Sequence, residues 1–559
     1  MNTKSAPFNI AQSFNEAVAL FRQGRLREAE KIGTRVLKAA PDYFDALNLL
    51  GIIKAQLGRM GEAHRLFAAA AKINPRVPAV WANLGQALHV LKRSDEALAC
   101  LEEARTLAPD DVAILHQHAN ALLSLGRAEK ALAEFRQVLA RAPQHGQARL
   151  GCGVAQAALG LSEQALGEFD AALVVMPGHA GGHHNRGLAL YELGRYAAAL
   201  EAHDKALALA PDHAAAWHGR GRALAALNRH DEAVASYANA RRNGKDDADL
   251  HFSEALALLT LGDYRHGFEK YEARWRRTGM PPANSRGRPL WLGEYALSRK
   301  TVLLHAEQGL GDTIQFARYV PLVAASGAQI VLEVQSELAA LLRRLDGSAR
   351  VIARGEALPP FDVHCPLGSL PLALRTAPHN VPAPIPYLSA DAGSLAKWSA
   401  RLDALPRPRI ALAWSGNPDH FNDRNRSLPF ATLAPLFSAP ARFLSIQRDL
   451  RSDDADMLAA EPRITHLGGE LKNFTDTAAV IAVADLVISA DTAVAHLAGA
   501  MGRPLWVLLP FAPDWRWTRD GASSPWYPTA RLFRQSVHGD WASVIDRLAA
   551  ELTGLVPAA

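Results

Sequence analysis

A chain of 559 residues is longer than one hydrophobic core supports, since cores stop growing near roughly 250–300 residues, so two or three domains are expected. A composition of 49% hydrophobic and 21% charged residues excludes long disorder, and a net charge of +5 spread over both halves excludes nucleic acid as the main partner. Only Cys100, Cys152 and Cys365 occur, with no C-x-x-C spacing, which excludes a disulfide framework, a zinc site and a thiol redox motif.

The amino-terminal MNTKSAPFNI lacks an apolar signal region. No uncharged stretch reaches the ~18 apolar residues of a membrane span, and the richest, Ala478 to Ala490, is broken by Asp485. A cytoplasmic chain without a transmembrane segment is expected. From about residue 8 to 279 the sequence repeats with a period of 34: Pro7, Pro41, Pro75, Pro109, Pro143, Pro177 and Pro211 fall on one ladder. Chance gives such a ladder on the order of 10⁻⁸ at average proline usage. Gly51, Gly85, Gly153, Gly187 and Gly221 form a second column, with Ala119 and Ala255 in the same place. Ala29, Ala63, Ala97, Ala131, Ala165, Ala199 and Ala233 form a third. Small side chains there let two successive helices approach closely. Gly24, Gly58, Gly126, Gly160, Gly194 and Gly262 end the first helix of each unit in the left-handed cap conformation, with Lys92 and Asn228 as exceptions. The prolines close each unit.

With these columns the chain resembles the tetratricopeptide repeat, a 34-residue helix-turn-helix unit, most clearly at Trp81, Leu84, Gly85, Ala97, Leu101, Ala104 and Pro109. Eight units fit, the last marked by Gly262, Tyr264, Gly267 and Tyr271. Such arrays stack into a superhelix whose concave face holds a polypeptide. Asn83, Gln117 and Asn185, with Leu49, Gly151 and Gly219, stand where the repeats of O-linked N-acetylglucosamine transferases carry an asparagine ladder that grips peptide backbone. One residue earlier come Asn48, His116, His184 and His218, so Asn83, Gln117, Asn185, His184 and His218 are the expected acceptor groove. His116, His118, His183 and His184 read as helix-surface imidazoles; adjacent histidines on a helix cannot both face one ion.

From about residue 290 the texture becomes strand, turn, helix. TVLLH (301–305), QIVLEV (329–334), RIALAW (409–414), RFLSIQ (442–447), DLVISA (485–490) and PLWVLLP (504–510) read as parallel strands. A helix is expected from the glycine turn at 309–311 through Ala325, and APHNVPAPIPY (377–387) separates the two series. The fold class is therefore an all-α superhelix over 8–279 followed by an α/β domain of two Rossmann-like halves, 290–390 and 405–555.

Open α/β sheets bind ligands at the carboxyl ends of their strands. Asp491-Thr492-Ala493-Val494-Ala495-His496 follows DLVISA and opens a helix, where backbone N–H groups and a hydroxyl suit a diphosphate. This stretch resembles the lipopolysaccharide heptosyltransferases (glycosyltransferase family 9), inverting enzymes of the two-domain type called GT-B. The resemblance places Asp491 on sugar hydroxyls and Thr492 with its neighbours on phosphates, with Ala493 standing where the family has glycine. It makes Asp312, in Gly309-Leu310-Gly311-Asp312, the general base that takes the acceptor proton. Arg426, where the family has lysine, becomes the cation facing the departing phosphates in place of a metal. His496, Gln447 and Arg424 complete the expected donor side. Bland readings stand beside these: helix caps for Asp312 and Asp491, a core histidine for His496, solvated charges for Arg424 and Arg426. The loop Trp515-Arg516-Trp517, with Trp526 and Tyr527, either stacks on a base or sugar near the donor or packs against its own domain. Phe361 to Pro366 is expected to line the acceptor side.

The layout resembles bacterial repeat-bearing transferases that glycosylate flagellin. It implies an inverting, metal-independent glycosyltransferase without a cofactor, its nucleotide-sugar being substrate and its acceptor a protein delivered by the array. The alternatives are a scaffold with an inactive transferase domain and a lipopolysaccharide or polysaccharide transferase. A chain starting near Pro281 is expected to keep donor binding and lose its acceptor, unless Tyr264 to Trp275 packs on the transferase domain.

Overall fold

The computed structural model describes residues 9–277, 286–348, 350–382, 385–420 and 422–555. Pro7, the expected array limits at 8 and 279, Pro281 and part of the 377–387 linker lie outside the described residues. The chain divides into two compact units, Met1–Gly219 and Arg220–Ala559. Among the described residues no helix is long and apolar enough to cross a membrane.

The first unit is built of helix pairs, from Ile10–Arg22 with Leu26–Ala39 to Ala180–Glu192 with Tyr196–Leu209. The sequence columns explain the pairing. A Cβ on Gly51 would meet the Phe67 ring at 2.5 Å, one on Gly85 the Leu101 side chain at 2.6 Å, and one on Gly153 the Phe169 ring at 2.5 Å. The alanines at 29, 63, 97, 131, 165 and 199 are fully buried in the same seams. The two exceptions in the capping column obey its geometry: Lys92 has φ 63° and Asn228 φ 59°, like the glycines around them. Asparagine adopts that conformation readily, whereas for lysine it costs roughly 1–2 kcal/mol. Lys92→Gly is expected to stabilise the array by about 0.5–1 kcal/mol in urea unfolding, relief of strain outweighing the added freedom of the unfolded chain.

The second unit takes in the end of the array as well as the α/β region. It contains helices His230–Arg242, Ala248–Thr260 and Tyr264–Tyr271, and a 3₁₀ turn Glu272–Arg276. Tyr264, Phe268 and Tyr271 share one buried cluster with Phe316, Tyr319, Trp515 and Trp526, and the Trp526 indole donates to the Tyr264 hydroxyl at 3.0 Å. The last repeat is thus part of the core of the α/β region.

Strands β1 (Thr301–His305), β2 (Gln329–Val334), β3 (Arg350–Ala353) and β4 (Val363–Pro366) form one parallel sheet in the order β3-β2-β1-β4. A second parallel sheet has the order β10-β9-β8-β5-β6-β7, from β5 (Arg409–Ala413), β6 (Arg442–Ser445), β7 (Ile464–His466), β8 (Leu486–Ala490), β9 (Leu505–Leu509) and β10 (Ala530–Arg534). The chain reverses direction across the sheet between β1 and β4 and between β5 and β8, the switch points where such sheets bind ligands. The helix expected through Ala325 is two, Leu310–Ala317 and Val320–Ala325. Phe361 to Pro366, expected on the acceptor side, instead supplies β4: residues 363–366 are buried on both faces, and His364 meets His305 across the strands at 3.1 Å.

Candidate active site

Arg426 is positioned by its turn. The short helix Asp423–Arg426 follows the end of β5, and its guanidinium Nη1 donates to the Asp491 carbonyl at the end of β8, 3.1 Å away. Gly416 makes room: a Cβ there would stand 2.6 Å from Arg426 Nη2. Asp423 Oδ1, 3.6 Å from Arg426 Nε, balances the charge and is itself held by Ser427 and Arg451. The cation therefore spans the β5/β8 switch point. Arg424, on the same turn, is exposed.

Thr492 caps the helix Ala493–Ala500, its hydroxyl accepting the Val494 N–H at 3.3 Å. Asp491 is 9% exposed. Burial, and then the charge of Asp514, push its carboxyl up to about 6. The sign of the consequence is fixed. Because the folded state favours the protonated acid, ionised Asp491 costs stability above pH 6, and the cost fades as the pH falls toward 4. Asp491→Asn is expected to be more stable than the parent by on the order of 1–3 kcal/mol at pH 8, with the gap closed at pH 4, in melts across that range. A residue kept at such a cost fits a functional role.

His496 follows the core reading. It is buried, its Nδ1 pairs with the Tyr527 hydroxyl at 2.9 Å, and its ring stacks on Trp517 at 5.4 Å. Burial holds it neutral, well below the usual imidazole range. Its Nε2 lies 3.9 Å from Asp491 Oδ1, so it backs Asp491 rather than facing a ligand.

At two donor-side positions the side chains are engaged by the chain itself, and for the aromatic loop the packing alternative holds. The Gln447 amide is fully engaged by the chain: its oxygen accepts from the Trp414 and Ser415 N–H groups, both at 3.1 Å, and its nitrogen donates to the Ser415 and Asp449 carbonyls at 3.0 and 3.1 Å. It pins the end of β5. Trp515 and Trp517 are 2% and 0% exposed and pack among Tyr264, Phe268, Trp526 and Tyr527, so in this conformation neither offers a ring to a base or sugar.

Asp312 is the third residue of the helix Leu310–Ala317. Its Oδ2 accepts the Gly309 N–H at 2.9 Å, so the capping reading holds for that oxygen. Its Oδ1 is bridged by Arg516, which also reaches Gln315 and, at 2.8 Å, Asp514. Arg516 is thus a cation shared by both halves. The Asp312 side chain remains 25% exposed, and each of its oxygens keeps a second lone pair.

Sequence reasoning missed a polar cluster at the β1/β4 switch point. Glu307, just past β1, accepts from Arg274 of the terminal 3₁₀ turn at 2.8 and 3.1 Å, while its Oε2 is buried without a partner. Burial pushes its carboxyl up to about 7. Arg274 also holds Ser369 at 2.6 Å and Glu272, and Tyr271 bonds Gln308 at 2.9 Å. The strand-end rule that selects Asp491 applies equally to Glu307 and is the available signal.

In the array, Asn83 donates to Asn48 at 3.2 Å and Gln117 to Gln86 at 2.8 Å, so the ladder side chains link successive repeats. Asn185 and His218 are half-buried, and His184 packs against His203 and His213 with ring centroids 5.3 and 5.1 Å away. Among the described residues no group of three or more His, Cys, Asp or Glu gathers to hold a metal.

Comparison with known proteins agrees with both parts. Tetratricopeptide-repeat models match residues 14–63, 116–180, 184–248 and 220–275, and a second such model 54–119. The glycosyltransferase family 9 (heptosyltransferase) model matches 443–513, a span that holds Asp491, Thr492, Ala493 and His496. Protein FlbA of Caulobacter vibrioides is 29% identical over 340 residues, and the match spans 55% of each chain, about half the length of that relative. A tetratricopeptide repeat protein from Parabacteroides merdae is 17% identical with a TM-score of 0.39, covering 44% of this chain and 98% of its own. A thermophilic one from Thermus thermophilus is 31% identical with a TM-score of 0.30, covering 33% and 100%. The chain therefore joins an array of tetratricopeptide repeats to a C-terminal glycosyltransferase family 9 (heptosyltransferase) domain.

Proposed function

We propose that the chain transfers a sugar from a nucleotide-sugar to a hydroxyl of a polypeptide, flagellin-like in kind, that the repeat array captures, with inversion and without a metal. The observation that carries the reading is Arg426, wedged by Gly416 against the end of β8 beside the start of the Ala493–Ala500 helix. A diphosphate at that switch point meets a fixed guanidinium and helix N–H groups together. In the reaction the acceptor oxygen attacks the anomeric carbon as its proton passes to the Asp312 carboxylate. The bond to the diphosphate breaks, and Arg426 stabilises the charge of the leaving nucleoside diphosphate. Arg516 and the Gly309 N–H keep Asp312 aimed while it waits.

The acceptor half of the proposal is tested on Asn83, Gln117 and Asn185 replaced together by Ala. Loss of acceptor modification by tenfold or more, read as sugar mass added to the acceptor, with nucleoside diphosphate affinity unchanged, is the expected outcome. Undiminished modification in a folded triple variant moves the array to a docking role and favours a saccharide acceptor.

A further inference from the structure

The first helices of the fifth, sixth and seventh repeats begin on one histidine column: His145, His179 and His213. In each, Nδ1 accepts the backbone N–H three residues on: Ala148 at 3.1 Å, Gly182 at 2.8 Å and Ala216 at 3.2 Å. In the fourth and eighth repeats the same column holds Asp111 and Asp247, whose carboxylates do this work, Asp111 toward Ile114 at 3.1 Å and Asp247 toward Leu250 at 2.9 Å. An aspartate cap survives mild acid. An imidazole cap does not, because Nδ1 accepts only while it has a lone pair. Protonation sets a donor against a donor and adds positive charge where the helix dipole is already positive.

We propose that these caps make repeats five to seven an acid-sensitive segment of the array, which loosens when the three histidines protonate while its aspartate-capped neighbour holds. The segment carries Asn185, His184 and His218, so it is the C-terminal part of the expected groove that softens. The inference needs no acceptor or donor and stands apart from the proposed activity.

Around these caps stand other histidines and charges that are mostly paired with one another. His145 packs on His116, ring centroids 4.9 Å apart, and burial together with the charge of His145 holds His116 down to about 4. Around it Arg149 pairs with Glu168, Arg141 with Asp110, and Glu134 with His118 and Arg105. Near His179, Asp170 is paired with Arg186, Glu163 with Arg195, and His183 bonds the Pro177 carbonyl. His213 packs on His184, with His203 behind it, and has Asp212 beside it in sequence and Asp204 and Lys205 on the helix before. The values pH 7.5 and 5.0 lie on either side of the ordinary imidazole range, so comparing the two reads what protonation does to these caps.

Hydrogen exchange of the full chain, read by mass spectrometry at pH 7.5 and 5.0 and corrected for the chemical exchange rate, tests this. Helices 146–158, 180–192 and 214–226 are expected to lose about fivefold or more protection relative to 112–124, whose cap is Asp111. The variant His145→Asn, His179→Asn, His213→Asn keeps an acceptor at both pH values and is expected to hold its protection. Asp111→His should carry the acid sensitivity into 112–124. Equal behaviour of the four helices in the parent chain overturns the proposal, as does a triple Asn variant that loosens in acid as much as the parent.

Discussion

A chain beginning at residue 281 is expected to lose cooperative folding, whereas one beginning at Pro211 should melt as a single transition and still bind nucleoside diphosphate. The sequence favours a cut between array and enzyme, because repeat units contact only their neighbours. The packing of the last repeat overrides that. Removing residues before 281 strips Tyr264, Phe268 and Tyr271 from the core they share with Phe316, Trp515 and Trp526. Each such ring contributes about 1.5–3 kcal/mol by burial, so three approach the 5–15 kcal/mol that holds a whole domain together. The same cut removes Arg274 and leaves Glu307 without its cation, a loss of about 3–5 kcal/mol where a buried pair is broken. Circular dichroism on heating decides it. A cooperative melt of the 281 chain within about 5 °C of the Pro211 chain contradicts the shared core.

Asp312→Asn is expected to reduce transfer by about 10²–10⁴-fold while nucleoside diphosphate affinity stays within ~3-fold, since the amide keeps the shape and cannot take the proton. The substitution also touches the scaffold. Asp312 serves the Gly309 N–H with one oxygen and Arg516 with the other, and an amide has one acceptor oxygen for both. Asp514 and Gln315 continue to hold Arg516, so the cleft should keep its form. Comparing the melting temperature with the rate separates the roles. A lost rate at unchanged melting temperature identifies the base, and turnover within ~3-fold of the parent removes Asp312 from the mechanism.

The array is legible in the sequence because its constraints repeat. Each small residue in a seam and each left-handed cap recurs every 34 residues, and even Lys92 follows the column it breaks chemically. Strands β1, β2, β5, β6, β8 and β9, each built on an apolar run, are equally plain. Strands β3 (RVIA), β7 (ITH) and β4 (VHCP) are short and carry polar residues or proline, so no periodicity marks them, and β4 reads from sequence as an acceptor-lining segment. Arg426, Asp491 and Thr492 are readable because strand ends and helix starts follow from order alone. What order does not show joins distant parts of the chain. Arg516 meets Asp312 across 204 residues, Trp526 meets Tyr264 across 262, and Arg274 meets Ser369 across 95. Gln447 has the right place and chemistry for a ligand, and only its four bonds to the neighbouring backbone show that its amide is used.

The central claim is that Arg426 and the helix start after Asp491 form a diphosphate site, and calorimetric titration of the full chain with UDP, GDP, ADP and CDP, with and without EDTA, tests it most directly. One of these nucleotides is expected to bind saturably, equally well in EDTA, with affinity falling about 10–100-fold in Arg426→Ala, the loss of a charged hydrogen-bonding partner of about 1.5–3 kcal/mol. Binding by none of them, or binding indifferent to Arg426→Ala, contradicts the account.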